Sequence, residues 1–192
     1  TLGSASALCL GLRSLGKTAH VLVNPGVSQR YGWMVEGLTV EEAGKDDTVV
    51  STDVASPGML PENAKPYLGR VALRIDHHGS ATSFSDLELV DPDSASCAEV
   101  VFDVLENMNW RRSPQVLDRI YVGLSTDTGC FRFANTTAHA FRVAAACAEG
   151  GARVYELNQV LFETNTLGKL RMQGWIVEHM RLLHCGSMAI CA

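Results

Sequence analysis

The sequence lacks the features that would place it in a membrane or on duplex DNA. No stretch reaches the ~18 consecutive apolar residues that a transmembrane helix needs. The 16 Lys and Arg residues form no long basic tract, and 21 Asp and Glu residues bring the net charge to −5. These absences predict no membrane contact in this segment and no binding to duplex DNA. A small phosphate-bearing substrate stays open, because bound metal ions can supply positive charge locally.

Cysteine pairs of the CxxC type are also absent, although the chain has six cysteines. Several of them lie in apolar runs, as buried thiols do in a reducing compartment. The apolar start of the chain, Leu2–Leu12, has neither the basic flank nor the cleavage site of a secretory leader. We therefore expect a buried helix there, unpaired core thiols and a cytoplasmic protein.

Three apolar runs rich in β-branched residues each end in an aspartate. They are Asp47–Asp53, Val71–Asp76 and Ile120–Asp127, and each is predicted to be a strand. Helical patterns lie between them, including the capping pattern Ser96-x-x-Glu99 before an amphipathic run. Strands that alternate with helices predict an α/β fold: a doubly wound, mostly parallel sheet with helices on both faces.

The pattern changes near residue 150, where the alternation of strands and helices stops. We predict three parts: a catalytic domain at 1–150, a helical connector at 151–183, and the start of a truncated second domain at 184–192. The connector is expected to hold two helices, Tyr155–Thr164 and Leu167–Leu183. Ser187–Cys191 is expected to be a strand of the second domain.

The strongest chemical signal is the sequence Asp-His-His at residues 76–78. Ligands of parallel sheets bind beyond the carboxyl ends of the strands, so Asp53 and Asp127 should lie at the same edge. Carboxylates with imidazoles suit Mn²⁺, Zn²⁺ or Fe²⁺ better than Ca²⁺. A single aspartate at the end of a strand is more often a turn former. Three of them on equivalent strands, one beside two histidines, favour a metal site.

These motifs resemble those of the DHH phosphoesterase superfamily, which is named after this Asp-His-His signature. The resemblance is to the bacterial oligoribonucleases that also dephosphorylate 3′-phosphoadenosine 5′-phosphate, and it covers nearly the whole chain. Besides the signature it rests on three segments in order, which are VVSTDVAS around Asp53, LELVDPDSASCAEVVFDVL at 87–105 and STDTGCFRFANTT at 125–137.

The resemblance implies two divalent metal ions, expected to be Mn²⁺. Asp53 would bridge both ions, and His77 and Asp127 would be further ligands. The chemistry implied is hydrolysis of a phosphoester by metal-activated water, with no covalent enzyme intermediate. The implied substrates are short single-stranded RNA and 3′-phosphoadenosine 5′-phosphate. A homodimer stays open.

The resemblance also implies residues that act on the substrate. His78 would meet the substrate phosphate, and Asp76 would orient the neighbouring imidazoles as a catalytic auxiliary. Ser96 and Arg132 would add substrate contacts. A cyclic-dinucleotide phosphodiesterase is an alternative function, since related catalytic domains cleave such substrates.

The chain departs from the family pattern in two places. The family's first motif, a His and an Asp-x-Asp pair before Gly-Ser, would lie just before Thr1, and of it the chain has Gly3-Ser4. Family members often have Pro and Asn near the positions of Gly79 and Ala81. The first departure supports another alternative, a catalytically inactive nucleotide-binding module. The residues upstream of Thr1 would discriminate between this module and the enzyme.

Overall fold

The computed structural model describes residues 1–80 and 82–191, with the side chain of Gln29 left out of that description. The departure noted at Ala81 therefore lies outside the described residues. Contacts divide the chain into two compact units, unit 1 at Thr1–Leu157 and unit 2 from Asn158 onward.

Unit 1 contains two parallel sheets. The first pairs β1 (Val21–Leu22) with β2 (Thr39–Val40). The second has the order β3 (Val49–Thr52), β4 (Val71–Asp76) and β5 (Leu87–Val90), and its neighbouring strands are parallel. Parallel strands combined with helices confirm the predicted α/β class.

Unit 1 combines short 3-10 helices with α-helices. Short 3-10 helices connect the strands at Gln29–Met34, Pro57–Met59 and Lys65–Arg70. The α-helices are α1 (Leu2–Ser14), α2 (Cys97–Asn107), α3 (Pro114–Asp127), α4 (Ala138–Glu149) and α5 (Val154–Asn158). The predicted helix at the start of the chain is confirmed as α1, and it buries residues such as Ala7 and Cys9.

Helices α1, α2 and α3 approach one another at small residues. A Cβ built on Gly3 would lie 2.6 Å from the carbonyl oxygen of Arg119, and one on Gly123 would lie 2.5 Å from the Cβ of Ala98. Since real side chains do not tolerate such distances, these positions require glycine or a shift of the helices. The close packing fixes α3 and with it Asp127, its last residue.

The strand predicted at Ile120–Asp127 is wrong, because these residues form the second half of α3. Every residue from 116 to 125 is buried, so this part of the helix has no solvent-facing stripe. An apolar run of this kind looks the same in a buried strand and a buried helix. Pro114, in the first turn of α3, was the available signal for a helix.

Unit 2 contains a helix and a hairpin. Its elements are a π-helical turn at Gln159–Glu163, α6 (Leu167–His179), β6 (Arg181–Leu183) and β7 (Met188–Ile190). The strand predicted at Ser187–Cys191 is confirmed as β7. The helix predicted at Leu167–Leu183 is too long, because its last residues pair antiparallel with β7 across a turn with Gly186 at φ 89°. Across the described residues, no helix combines the length and apolarity that crossing a membrane requires.

The cysteines are unpaired, as the sequence predicts. The expectation of core thiols is confirmed for Cys9, Cys97 and Cys147, which are buried, and is wrong for Cys185 and Cys191, which are exposed. Burial raises the pKa of the Cys97 and Cys147 thiols to about 12. A thiol that stays protonated at neutral pH is a poor nucleophile, so these two serve as packing groups.

Candidate active site

The ends of β3 and β4 bring the predicted acidic and imidazole side chains together. Asp53 directly follows β3, and its backbone N–H donates to the carbonyl of Ile75 on β4 at 2.9 Å. Asp53 adopts the left-handed backbone conformation, at φ 61°. That conformation costs energy in a residue other than glycine, and it recurs at functional sites. The carboxyl end of α3 adds Asp127, whose Oδ2 lies 3.8 Å from Nε2 of His77.

Asp53, His77 and His78 form a cluster with the spacing of metal ligands. Each offers one ligand atom, and these atoms lie within 4.8 Å of one another. Oδ1 of Asp53 is buried and has no hydrogen-bond partner among the described residues. A buried carboxylate oxygen in this condition is costly unless a cation binds it. The donor set of carboxylate and imidazole therefore fits a divalent transition-metal ion.

The carbonyl oxygen of Ser94 determines which ring nitrogen of His77 carries the proton. Nδ1 of His77 lies 3.2 Å from that oxygen. Because a carbonyl oxygen can only accept, Nδ1 of the neutral ring is the donor. Nε2 then keeps its lone pair, and it is the nitrogen that lies 3.6 Å from Oδ1 of Asp53. A histidine that binds a metal needs this arrangement.

Asp76 is fully buried and contacts both histidines. Its Oδ1 accepts from the backbone N–H of His77 at 2.8 Å and lies 2.7 Å from Nδ1 of His78. With Nδ1 donating to Asp76, Nε2 is the nitrogen of His78 left to accept or bind. Oδ2 of Asp76 lies 3.4 Å from Arg74, which is also buried and pairs with Glu88. These contacts support the predicted orienting role of Asp76.

The surroundings of Asp127 disfavour the charged form of its carboxyl. Burial raises the pKa of the Asp127 carboxyl, and the negative charge of Asp53 raises it further. The hydroxyl of Thr1 donates to Oδ2 of Asp53 at 3.0 Å. The site thus gathers negative charge that a cation would stabilise.

We expect Asp127→Asn to raise the melting temperature of the metal-free protein at pH 7 by roughly 2–4 °C, or about 1 kcal/mol. A carboxyl whose pKa is raised in the folded state stabilises the fold only at low pH, and this contribution is lost as the pH rises through the raised pKa. At neutral pH the Asp127 charge therefore opposes folding, and asparagine removes it. Thermal melts with a chelator from pH 4 to 8 measure the difference.

The increase in melting temperature caused by Asp127→Asn should shrink toward pH 4, where the wild-type carboxyl becomes protonated. In saturating Mn²⁺ the wild type should have the higher melting temperature, because the ion stabilises the protein that binds it more tightly. A variant that is less stable than the wild type at pH 7 without metal contradicts this account of Asp127.

The two other predicted substrate contacts lie outside the cluster of Asp53, His77 and His78. Ser96 is buried, and its hydroxyl accepts from the backbone N–H of Glu99 at 3.1 Å as the N-cap of α2. The predicted capping pattern is thereby confirmed. Arg132 is exposed, and its Nε donates to the carbonyl of Gly129 at 2.7 Å. A role for Ser96 or Arg132 in substrate binding stays a prediction.

Sequence reasoning missed two residues that support the site. Arg74 lies two residues before Asp76 on β4, so the two side chains share a face of the strand. That alternation was the available signal. Asn135 donates to the carbonyls of Ala95 and Asp127. It lies in the FRFANTT segment that carried the family resemblance, but no local pattern marks its long-range contacts.

Comparison with known proteins assigns the family. The model for the N-terminal domain of the DHH family matches residues 1–124, which is more than half of the chain. The chain therefore belongs to the DHH family, and the resemblance inferred from the motifs is confirmed.

Two curated relatives share one description, bifunctional oligoribonuclease and PAP phosphatase NrnA. The protein of Thermus thermophilus is 31% identical over 193 residues, which cover 100% of this chain and 58% of that protein. The protein of Bacillus subtilis is 26% identical over 145 residues, which cover 74% of this chain and 46% of that protein. The chain thus spans about half the length of these relatives.

A solved structure confirms the fold. The crystal structure of an exopolyphosphatase-related protein from Bacteroides fragilis matches with a TM-score of 0.84. The match covers 95% of this chain and 58% of that one, at 20% sequence identity. At this identity the likeness establishes the α/β architecture alone.

Proposed function

We propose that the complete protein is a metal-dependent phosphoesterase that hydrolyses short oligoribonucleotides and 3′-phosphoadenosine 5′-phosphate. The cluster of Asp53, His77 and His78, with Asp127 beside it, carries this proposal. In a DHH-family chain, such a donor set supports metal-assisted hydrolysis of a phosphoester. The descriptions of the two relatives support the substrate class.

The proposed cofactor is a pair of divalent ions, with Mn²⁺ as the metal. Asp53, His77 and Asp127 would hold them, since two carboxylates and an imidazole with a free Nε2 suit this ion. When bound, such ions supply a hydroxide near neutral pH and positive charge beside the phosphoryl group. Binding of the ions would also relieve the repulsion between the two carboxylates.

The side chains of the site divide the remaining work. The side chain of His78 is 39% exposed, so it can reach a substrate phosphate while Asp76 holds its Nδ1. We propose no serine nucleophile. Ser51 is buried at the end of β3, and the buried hydroxyl of Ser125 donates to the carbonyl of Val122. Both positions favour attack by water over attack by an enzyme hydroxyl.

We further propose that residues before Thr1 in the complete protein form a strand between β1 and β3 and bring the missing first motif to the site. A cavity of about 310 Å³ lies there, lined by both strands and by Thr1 and Leu2. In the described chain, β1 pairs only with β2 and β3 only with β4. A strand leading into Thr1 would end beside Asp53, where the first motif's ligands are needed.

The domain plan also continues as a proposal, with a catalytic domain at 1–150, a connector at 151–183 and the start of a second domain at 184–192. Apolar side chains of unit 2 support further packing, because many of them are exposed. On α6 these are Leu167, Leu170, Met172, Trp175, Ile176 and Val177. The length of RNA that the protein accepts would depend on that second domain.

The test is hydrolysis by the complete protein in Mn²⁺. The substrates are 3′-phosphoadenosine 5′-phosphate, a di- to pentaribonucleotide series and cyclic di-AMP. We expect release of AMP and of mononucleotides, loss of both on adding a chelator, and recovery on adding Mn²⁺. Turnover of cyclic di-AMP alone would assign the alternative phosphodiesterase activity. Metal binding without any turnover would exclude these substrates, and absence of both would assign the inactive nucleotide-binding module.

A further inference from the structure

Asn135 joins the end of α3, which carries the candidate metal ligand Asp127, to a loop that contacts the candidate ligand His77. Its Nδ2 donates to the carbonyl of Ala95 at 3.0 Å and to the carbonyl of Asp127 at 3.2 Å. Asp127 is the last residue of α3, and Ala95 belongs to the loop that leads into α2. One side-chain amide therefore spans the two segments.

The Ala95 loop in turn holds His77. The carbonyl of Ser94 accepts from Nδ1 of His77, and Ser94 is covalently joined to Ala95. Ala95 is 1% exposed, and its N–H donates to Oε2 of the buried Glu99 at 2.8 Å. Glu99 thus fixes the N–H of Ala95, and Asn135 fixes its carbonyl. A shift of this peptide moves the Ser94 oxygen, and the His77 ring follows it.

The chain between α3 and Asn135 takes a costly path. Gly129, Cys130 and Phe131 have consecutive left-handed backbones, at φ 57°, 58° and 62°. The hydroxyl of Thr128 secures the turn by accepting from the N–H of Phe131 at 3.1 Å. Such conformations persist where the surrounding structure requires them. Here the turn brings Asn135 back against the end of α3.

We propose that Asn135 is a positioning residue for the metal site. By tying Ala95 to Asp127, it sets the 3.8 Å separation between Nε2 of His77 and Oδ2 of Asp127. This inference rests on the proposed metal-dependent function and adds to it a residue that touches neither metal nor substrate. This role also explains why the amide of an exposed asparagine donates to two backbone carbonyls rather than to water.

The test is Mn²⁺ binding by the complete protein, measured by calorimetric titration. We expect Asn135→Ala to weaken Mn²⁺ binding about 10- to 100-fold, as residues that orient metal ligands do. At saturating Mn²⁺ the KM for substrate should stay within about twofold, because Asn135 does not contact substrate. The metal-free melting temperature should match that of the control, Asn107→Ala. Asn107 also donates to a backbone carbonyl, that of Asp103, at 2.8 Å on α2.

Mn²⁺ affinity equal to that of Asn107→Ala overturns the proposal, and so does a loss fully explained by a lower metal-free melting temperature. If Asn135→Ala does not fold, Asn135→Ser serves instead, because its short hydroxyl can reach only one of the carbonyls. Wild-type affinity in that variant also overturns the proposal. A wild-type protein that binds no Mn²⁺ removes the proposed function itself, which is a distinguishable result.

Discussion

We expect His77→Ala to lower hydrolysis of 3′-phosphoadenosine 5′-phosphate by the complete protein at least about 10³-fold. The variant removes the imidazole nitrogen that lies 3.6 Å from Asp53 and 3.8 Å from Asp127. It should also bind Mn²⁺ more weakly. Raising the Mn²⁺ concentration should then recover only part of the activity, because the geometry around the remaining carboxylates is lost. Steady-state kinetics across a Mn²⁺ series measures both effects.

The fold of His77→Ala should be intact, since the side chain is partly exposed and its main contact is with one carbonyl. His20→Ala is the matched control, because His20 is exposed and its ring contacts Arg13 rather than the cluster. It should keep wild-type kcat and KM. Full activity in His77→Ala would show that His77 is not a metal ligand and that its contact with the Ser94 carbonyl has no role in catalysis.

The second large effect is on stability. We expect Arg74→Ala to lower the free energy of unfolding by about 3–5 kcal/mol, because one partner of a buried ionic network is removed. The side chain of Arg74 is 3% exposed and lies 2.5 Å from Glu88 and 3.4 Å from the fully buried Asp76. Without it, the fully buried Asp76 loses the cation beside it. The melting temperature should fall by roughly 10 °C.

The loss should depend on pH. Burial acts to raise the pKa of Glu88, but hydrogen bonds from Ser85, Arg74 and Ser83 and from a backbone N–H lower it to about 2. A carboxyl with a lowered pKa stabilises the fold above its ordinary pKa, and this stability is lost as the pH falls toward 2. The gap between wild type and Arg74→Ala should therefore narrow from about pH 4.5 downward.

Chemical denaturation over this pH range checks the Arg74 prediction. Arg142→Ala is the control, because Arg142 is exposed on α4 and its loss should change stability by less than about 0.5 kcal/mol. Arg74→Lys should be intermediate, since lysine keeps the charge and loses the planar fork that serves two carboxylates. If Arg74→Ala loses no more stability than Arg142→Ala, the ionic network of Arg74 makes no net contribution to the free energy of unfolding.

The cluster of site residues was predictable because its members end elements with strong local patterns. Asp53 and Asp76 close apolar, β-branched runs, and parallel pairing of β3 with β4 brings such ends together. The Asp-His-His sequence then supplies imidazoles at the same edge. Local pattern and sheet geometry were enough here, because the active edge of a parallel sheet is a consequence of its topology.

Asp127 reached the predicted place by a route that was not predicted. The residues before Asp127 form α3 rather than a strand. Because this helix is buried on all sides, its sequence lacks the hydrophobic periodicity that distinguishes a helix from a strand. In this fold the carboxyl end of α3 lies beside His77, at the edge formed by the ends of β3 and β4. The wrong secondary structure therefore did not change the predicted position of Asp127.

The full roles of Arg74 and Asn135 do not follow from local sequence, for a physical reason. Their roles depend on partners that folding brings close. Arg74 contacts Glu88 on the neighbouring strand, and Asn135 contacts Ala95, from which α2 and α3 separate it in sequence. An arginine inside a strand and an asparagine in a loop have ordinary local explanations. Only the three-dimensional arrangement shows that one is buried and that the other uses its amide as a bridge.

The spread of the proposed metal ligands along the chain has a consequence for folding kinetics. Asp53, His77 and Asp127 come from three elements that are joined by long segments, so the site is a set of high-separation contacts that form late. During synthesis from the N-terminus, a nascent chain whose α3 has not yet left the ribosome has only part of the proposed ligand set. A metal ion would therefore not nucleate folding. It would slow unfolding of the finished domain, and the lifetime of the protein would follow the metal supply of the cell.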